Sequence, residues 1–200
     1  MNMRMIQKVI ATLFFVAFAA GFHMNIPCRG QETGTPFITN LGADIYNAHS
    51  QNFAIAQDKR GVLYFGNFSG ILEYDGEQWR LIPTASISRV SSLSTAANGT
   101  VYVGARGVIG YLSPDPSGDM VFLSLHNLIP EEYRNFSDVL GTYATPRGVY
   151  FVTERFIFFY DFDIIRVKEA GGSVLSSYYI NDILYCWIKD TGLFRFDHGQ

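Results

Sequence analysis

The chain has 200 residues, 48% of them hydrophobic and 16% aromatic, with 15 Lys and Arg against 18 Asp and Glu. Without its first 30 residues it loses Arg4, Lys8 and Arg29, leaving 12 basic against 18 acidic side chains and a net charge of −6. No basic stripe remains to neutralise phosphates, which excludes nucleic-acid binding by this segment, and the one remaining cysteine, Cys186, excludes an internal disulfide.

Residues 1–30 read as a signal peptide. Arg4 and Lys8 supply the positive end, and residues 9–22 (VIATLFFVAFAAGF) form a 14-residue apolar stretch. That falls short of the ~20 residues needed to span a bilayer and matches the core of an export signal. Small residues at Cys28 and Gly30 fit cleavage before Gln31. Asn25-Ile26-Pro27-Cys28 is a poor lipoprotein box, because Ile and Pro replace the small residues expected before the cysteine.

Residues 31–52 read as an N-terminal strand and loop. FITN (residues 37–40) is a short extended run suited to completing a blade at the other end of the fold. DIYNAHSQN (residues 44–52) is a polar loop, and loops on a rigid scaffold gather binding residues, so His49 and Gln51 are candidate ligand contacts. The competing reading for His49 is a hydrogen bond to its own loop backbone.

Residues 53–83 contain four short apolar runs, FAIAQ, VLYFG, ILEYD and WRLIP, separated by DKRG, NFSG and DGEQ. Each glycine-bearing spacer turns the chain back after about five extended residues. Tyr, Phe, Val, Ile and Trp suit the pleated surface of a sheet. The unit recurs at residues 90–125, 139–169 and 173–200, with starts 37, 49 and 34 residues apart, against the ~40–50 of propeller blades. Gly61, Gly99 and Gly148 open a turn before an aromatic strand, and Asp182 takes that place in the fourth copy. Tyr64, Tyr102, Tyr150 and Tyr185 follow in the same register. One four-stranded sheet cannot bury both faces, but blades stacked radially cover one another. The fold class is therefore all-β: a partial β-propeller of four-stranded antiparallel blades, with the fourth copy holding three strands. Ile129 to Asp138, longer than a turn, carries Pro130 and two glutamates that suit one helical turn. Cys186, inside ILYCWI, reads as a small buried hydrophobe.

Catalytic constellations are missing: the sequence has no His-Glu-x-x-His, Gly-x-Ser-x-Gly, paired-cysteine metal motif or phosphate-binding loop, so no catalytic residue, metal site or cofactor is assigned. Asp75, Asp115, Asp161 and Asp197 each end a third strand, and the repeated position argues for a repeated structural job, bonding the turn backbone. The loops between second and third strands open on the same end as the blade-to-blade connections. They carry Asn67, Arg106 and Arg155, and the connections add Arg89 and Arg134 to His49 and Gln51. Arg106 and Arg155 occupy near-equivalent places facing a shared mouth, where planar guanidiniums recognise carboxylates, sulfates or sugar hydroxyls. The competing reading is that they pair with neighbouring loops, for instance with Glu154. Arg166, on the fourth strand of copy three, is expected to be silent in binding.

YNAHSQNFAIAQDKRGVLYFGNFSGILEYDGEQWRLIP closely resembles the opening of periplasmic two-component regulator propellers, the sensor domains of membrane regulators from Bacteroidetes-type bacteria. GTVYVGARGVIGYLSPD, IPEEYRNFSDVLGTYATPRGVYF and INDILYCWIKDTGLFRFD are similar to further pieces of that pattern, and the resemblance covers residues 36–200. It implies a propeller of about seven blades, a following β-sandwich with a triple-tyrosine motif, a transmembrane helix and a cytoplasmic output. The implied function is ligand sensing outside the cytoplasm, with a glycan or anionic small molecule as ligand. The rest of the same receptor chain, and a homodimer of it, are the implied partners. The alternatives are a secreted carbohydrate-active propeller enzyme, which needs two carboxylates or a Tyr/His/Arg group converging near the axis, and a protein-interaction propeller.

Overall fold

A computed structural model describes Met3 and residues 38–84 and 88–196. The signal peptide apart from Met3, its cleavage point, Phe37 and Asp197 lie outside the described residues. The chain divides into two units, Met1–Thr39 and Asn40–Gln200. Of the first, Met3, Ile38 and Thr39 are described and all are exposed.

The second unit is a run of antiparallel sheets in chain order. Blade 1 holds β1 (Asn52–Gln57), β2 (Leu63–Asn67), β3 (Gly70–Tyr74) and β4 (Trp79–Ile82). Blade 2 holds β5 (Val90–Thr95), β6 (Val101–Ala105), β7 (Val108–Pro114) and β8 (Met120–Ser124). Blade 3 holds β9 (Val139–Thr145), β10 (Gly148–Thr153), β11 (Phe156–Tyr160) and β12 (Ile165–Glu169). Blade 4 has β13 (Val174–Ile180), β14 (Ile183–Ile188) and β15 (Gly192–Phe196). In every sheet each strand pairs with the one before it, so the molecule is a partial β-propeller of meander blades. The turn residues account for the hairpins. Gly61 and Gly99 sit at φ 88° and 98°, where a side chain would be strained, and in blade 4 Asn181 and Asp182 adopt φ 50° and 64° instead. Asn and Asp are the non-glycine residues that tolerate this region best, which is why Asp182 can stand in the glycine's register.

The described part of FITN, residues 38–40, joins no sheet, and Ile38 is exposed. The polar loop after it contains a helical turn, α1 (Ala43–Tyr46), closed by Asn47 in the left-handed conformation. Tyr46 is buried there, its ring 5.3 Å from that of Trp79 on β4. Between blades 2 and 3 the expected helical turn is present as a 3₁₀ turn at Glu131–Tyr133, preceded by another at His126–Leu128.

The core lies in the seams between blades. Tyr64, Ile71 and Ile82 of blade 1 pack with Val90, Val101 and Val103 of blade 2. Tyr102 and Ile109 meet Val149, Phe151 and Phe158 of blade 3, and Tyr150, Val152 and Ile157 meet Leu184, Cys186 and Ile188 of blade 4. Both faces of β6 and β10 are buried, as expected of a strand covered by blades on either side. Burial pushes the Cys186 thiol up to about 12, which leaves it protonated and unreactive. The outward side of blade 4 is open, with Leu175, Tyr178, Ile180, Trp187 and Leu193 between 48% and 59% exposed.

The first strands of the blades stand side by side and are joined by hydroxyls. Ser91 Oγ donates to the Val139 carbonyl at 2.8 Å, Ser92 Oγ lies 2.7 Å from Thr142 Oγ1, and Ala144 N–H donates to Ser94 Oγ at 3.0 Å. Tyr143 OH continues the series to the Ser177 carbonyl of blade 4. Gly104 on β6 makes this approach possible. A Cβ there would stand 2.4 Å from Ser92 Oγ and 2.5 Å from Val139 Cγ1.

Candidate functional site

The meander gives the unit two ends. Hairpins joining first to second and third to fourth strands make the turn end, and the second-to-third hairpins with the blade connections make the mouth end.

At the mouth, the residues of blade 1 hold one another. Asn67 is fully buried, and its Nδ2 donates to the carbonyls of His49 (2.6 Å) and Gln51 (3.1 Å) and to Asn52 Oδ1 (2.8 Å). Its Oδ1 accepts from Ser69 N–H. Asn67 is therefore not available to a ligand, contrary to the sequence expectation, because its amide anchors the entry loop to the hairpin. His49 Nδ1 accepts from Gln51 N–H at 3.1 Å, the backbone bond named as the competing reading, and its exposed ring lies 4.7 Å from that of Phe68. Gln51 is exposed, with its carbonyl accepting from Phe68 N–H.

Arg89 and Arg106 converge on Asp138. Arg106 Nε and Nη2 donate to the two Asp138 oxygens at 3.2 and 3.0 Å, and Arg89 Nη2 pairs with the same carboxylate. Arg89 also lies over the Phe53 ring, 5.0 Å from its centroid, and its buried Nε has no acceptor among the described residues. Burial alone would raise the Asp138 carboxyl, but hydrogen bonds and charge from Arg106 and Arg89 outweigh it and hold it below the usual carboxylate range. Arg106 thus pairs with a neighbouring connection, and the partner is Asp138 rather than Glu154. Glu154 accepts instead from Ser173 Oγ at 2.6 Å.

Arg134 is also engaged within its own connection, with Nε donating to the Ile129 carbonyl at 2.8 Å and Nη2 to that of Asn127 at 3.3 Å. Free for a ligand in the sequence reading, it folds back here because the two 3₁₀ turns leave those carbonyls without helical partners. Arg155 differs. Its hairpin is held by Thr153 Oγ1, which accepts from Arg155 and Phe156 N–H and donates to the Phe156 carbonyl. The exposed guanidinium lies over the Phe156 ring at 5.3 Å, and Tyr133 packs on the ring's edge. The structure therefore joins Arg89 with Arg106, and His49 with Gln51 and Asn67, while Arg155 stands apart from both groups.

Asp138 escaped the sequence reading, although its position was legible. Gln51, Arg89, Asp138 and Ser173 each directly precede the first strand of a blade. Three of them accept, through their carbonyls, the N–H of a second-to-third loop residue in the same blade: Phe68 to Gln51, Arg106 to Arg89, and Lys189 to Ser173. Carrying the repeat register one residue upstream would have singled out all four.

The turn end behaves as the repeated aspartates suggested. The Oδ1 of Asp75 accepts from Glu77 and Gln78 N–H, that of Asp115 from Ser117 and Asp119, and that of Asp161 from Asp163 and Ile164. These backbone bonds hold the Asp75 carboxyl below its usual range, and the bond from Ile164 does most for Asp161. Clefts also open here. One of about 400 Å³ lies between blades 3 and 4, lined by Arg147, Tyr150, Phe159, Arg166 and Tyr179 among others. Another of about 300 Å³ lies between blades 1 and 2 beside Lys59, Arg60 and Asn98. Arg166 is therefore not remote from every candidate site. It lines the larger cleft and pairs with Asp161 at 2.8 Å, because the twist of the outer strand carries it toward the third-strand turn.

No family model matches the chain, and no curated protein matches it. Among solved structures, it is similar to the extracellular domain of the one-component system BT4673 from B. thetaiotaomicron, at 13% identity and a TM-score of 0.58, over 80% of this chain and 22% of that one. The extracellular domain described as that of the hybrid two-component system BT4673 gives 13% and 0.56, over 78% and 23%. The computationally designed protein Ika4 is similar at 18% and 0.57, over 82% of this chain and 98% of its own. Virginiamycin B lyase from Staphylococcus aureus gives 11% and 0.50, over 82% and 58%. At these identities the likeness is one of fold. The chain spans about a fifth of the BT4673 domains it matches.

Proposed function

We propose that this chain is part of an extracytoplasmic sensing propeller, in a membrane-bound regulator of the two-component or one-component type. The observation that carries the reading is the fold shared with the extracellular domain of BT4673, a regulatory system. The phrases at residues 46–83 and the export signal read at residues 1–30 support it independently. The mouth contributes a rigid rim on which Arg155, His49 and Gln51 remain exposed. The remaining parts of the receptor, including a second copy of it, would carry the signal onward.

The test has two arms. Residues 1–30 fused to an export-dependent phosphatase should give activity outside the cytoplasm. Deleting residues 53–196 from the full-length receptor should abolish the transcriptional response of cells shifted between acidic and neutral polysaccharides. An unchanged response in the deletion strain, or polysaccharide cleavage by the purified protein, overturns the reading.

A further inference from the structure

We propose that the turn-end cleft between blades 3 and 4 binds a cyclic monocarboxylate, a flat ring with an apolar face that carries one carboxylate. The cleft holds about 400 Å³, within the range of small-molecule sites. Its wall is aromatic. The Tyr150 ring lies 4.6 Å from Phe159 and 5.9 Å from Tyr179, and Tyr143 backs Tyr179 at 6.2 Å in a stacked arrangement. Gly148 leaves room for the Phe159 ring, since a Cβ there would stand 2.7 Å from it and 2.3 Å from the Tyr160 carbonyl. A preformed, half-buried aromatic surface of this kind suits the apolar face of a ring.

The polar groups around that wall are engaged, with one exception. Asp161 accepts from its turn backbone and pairs with Arg166, and Asp182 accepts from Tyr179 OH at 3.3 Å. Arg147, exposed on the β9–β10 turn beside the rings, makes no side-chain hydrogen bond or ion pair with any described residue. A planar guanidinium with its donors unused recognises a carboxylate through paired hydrogen bonds. Asp161 and Asp182 close by repel a doubly charged anion, which favours a monocarboxylate over a phosphate monoester. Asp182 can also accept from a ring hydroxyl. A hexuronic acid unit of a glycan and a phenolic acid both carry this chemistry.

The assignment deepens the sensing reading and rests on it for the ligand's role. The mature full-length ectodomain is titrated calorimetrically with trigalacturonate, para-hydroxybenzoate and the neutral galactose trimer. One of the two acids should bind and the neutral sugar should not. Arg147→Ala and Tyr179→Ala should each weaken binding about tenfold or more, the loss of one charged or stacking contact. Arg147→Lys should fall between, and Arg106→Ala at the other end should change nothing. Binding of neither acid overturns the site, as does equal binding of the neutral trimer or an affinity indifferent to Arg147→Ala with the melting temperature retained. The two readings fail separately. Acid binding at Arg147 without any change in the full-length receptor's output keeps the site and sinks the sensing reading. An output that responds to the acids but ignores Arg147→Ala does the reverse.

Discussion

The two ends of the blades pair their arginines differently: across blade connections at the mouth, and mainly inside one blade at the turn end, where Arg60 meets Asp58 and Arg166 meets Asp161. At the mouth, Arg89 and Arg106 share Asp138, Arg134 folds onto its own carbonyls, and Asn67 is buried in the entry loop. At the turn end, Arg147 pairs with no described residue and lies beside a cleft walled by aromatic rings. The cause is topological. Each blade is tied covalently to the next at the mouth, so charges there meet the neighbouring connection and bind the blades together. Hairpins at the turn end belong to separate blades that face one another across open space, and a side chain can stay free. Exposure in a loop is therefore a poor guide to binding in this fold unless the end of the blade is known.

The strongest challenge to that contrast is at Gly104, close to the mouth. Gly104→Val would drive a side chain into Ser92, Val139 and Thr142, so urea unfolding should show a loss of about 3 kcal/mol. A loss below about 1 kcal/mol would mean that the seam between blades 2 and 3 is looser than its contacts indicate.

Next comes Asp138. Asp138→Ala leaves Arg89, whose Nε has no acceptor among the described residues, partly buried without its counter-ion, and should cost about 1–2 kcal/mol. Arg147→Ala at the turn end should leave the same melt within about 0.5 kcal/mol. Equal effects of the two would erase the distinction between the ends.

Acid offers a subtler probe. The folded carboxyl of Asp138 sits below its unfolded value, so its contribution is fully present above the unfolded pKa of ~3.9 and is lost as pH falls through the folded one. Stability should decline on acidification below about pH 4, and Asp138→Ala should decline less steeply. Asp75 and Asp161 shift in the same direction and will persist in the variant, so the readout is the difference between the two pH curves.

The smallest effect on folding is expected at Arg155. Its contact with the Phe156 ring is exposed, and Arg155→Ala should move unfolding by no more than about 0.5 kcal/mol. If the mouth also meets ligand, the full-length receptor carrying this change should respond less while melting normally. Arg106→Ala differs from it, because removing Arg106 also loosens Asp138.

The blade repeat was legible in the sequence because it is a local property. Spacers bearing Gly61, Gly99 and Asp182 turn the chain wherever a residue must take positive φ, and aromatic runs between them suit strands whatever their neighbours. The aspartates at 75, 115 and 161 were readable for the same reason, since their partners lie within a few residues. Partners distant in sequence were not. Nothing along the chain says that Arg89 and Asp138, 49 positions apart, share a contact, or that Arg166 would reach a cleft rather than stay silent. Nor does residue type distinguish Arg147 from Arg106. The stacking of blade on blade decides that Arg89 and Arg106 find Asp138, because it sets which loops are drawn together and which are held apart.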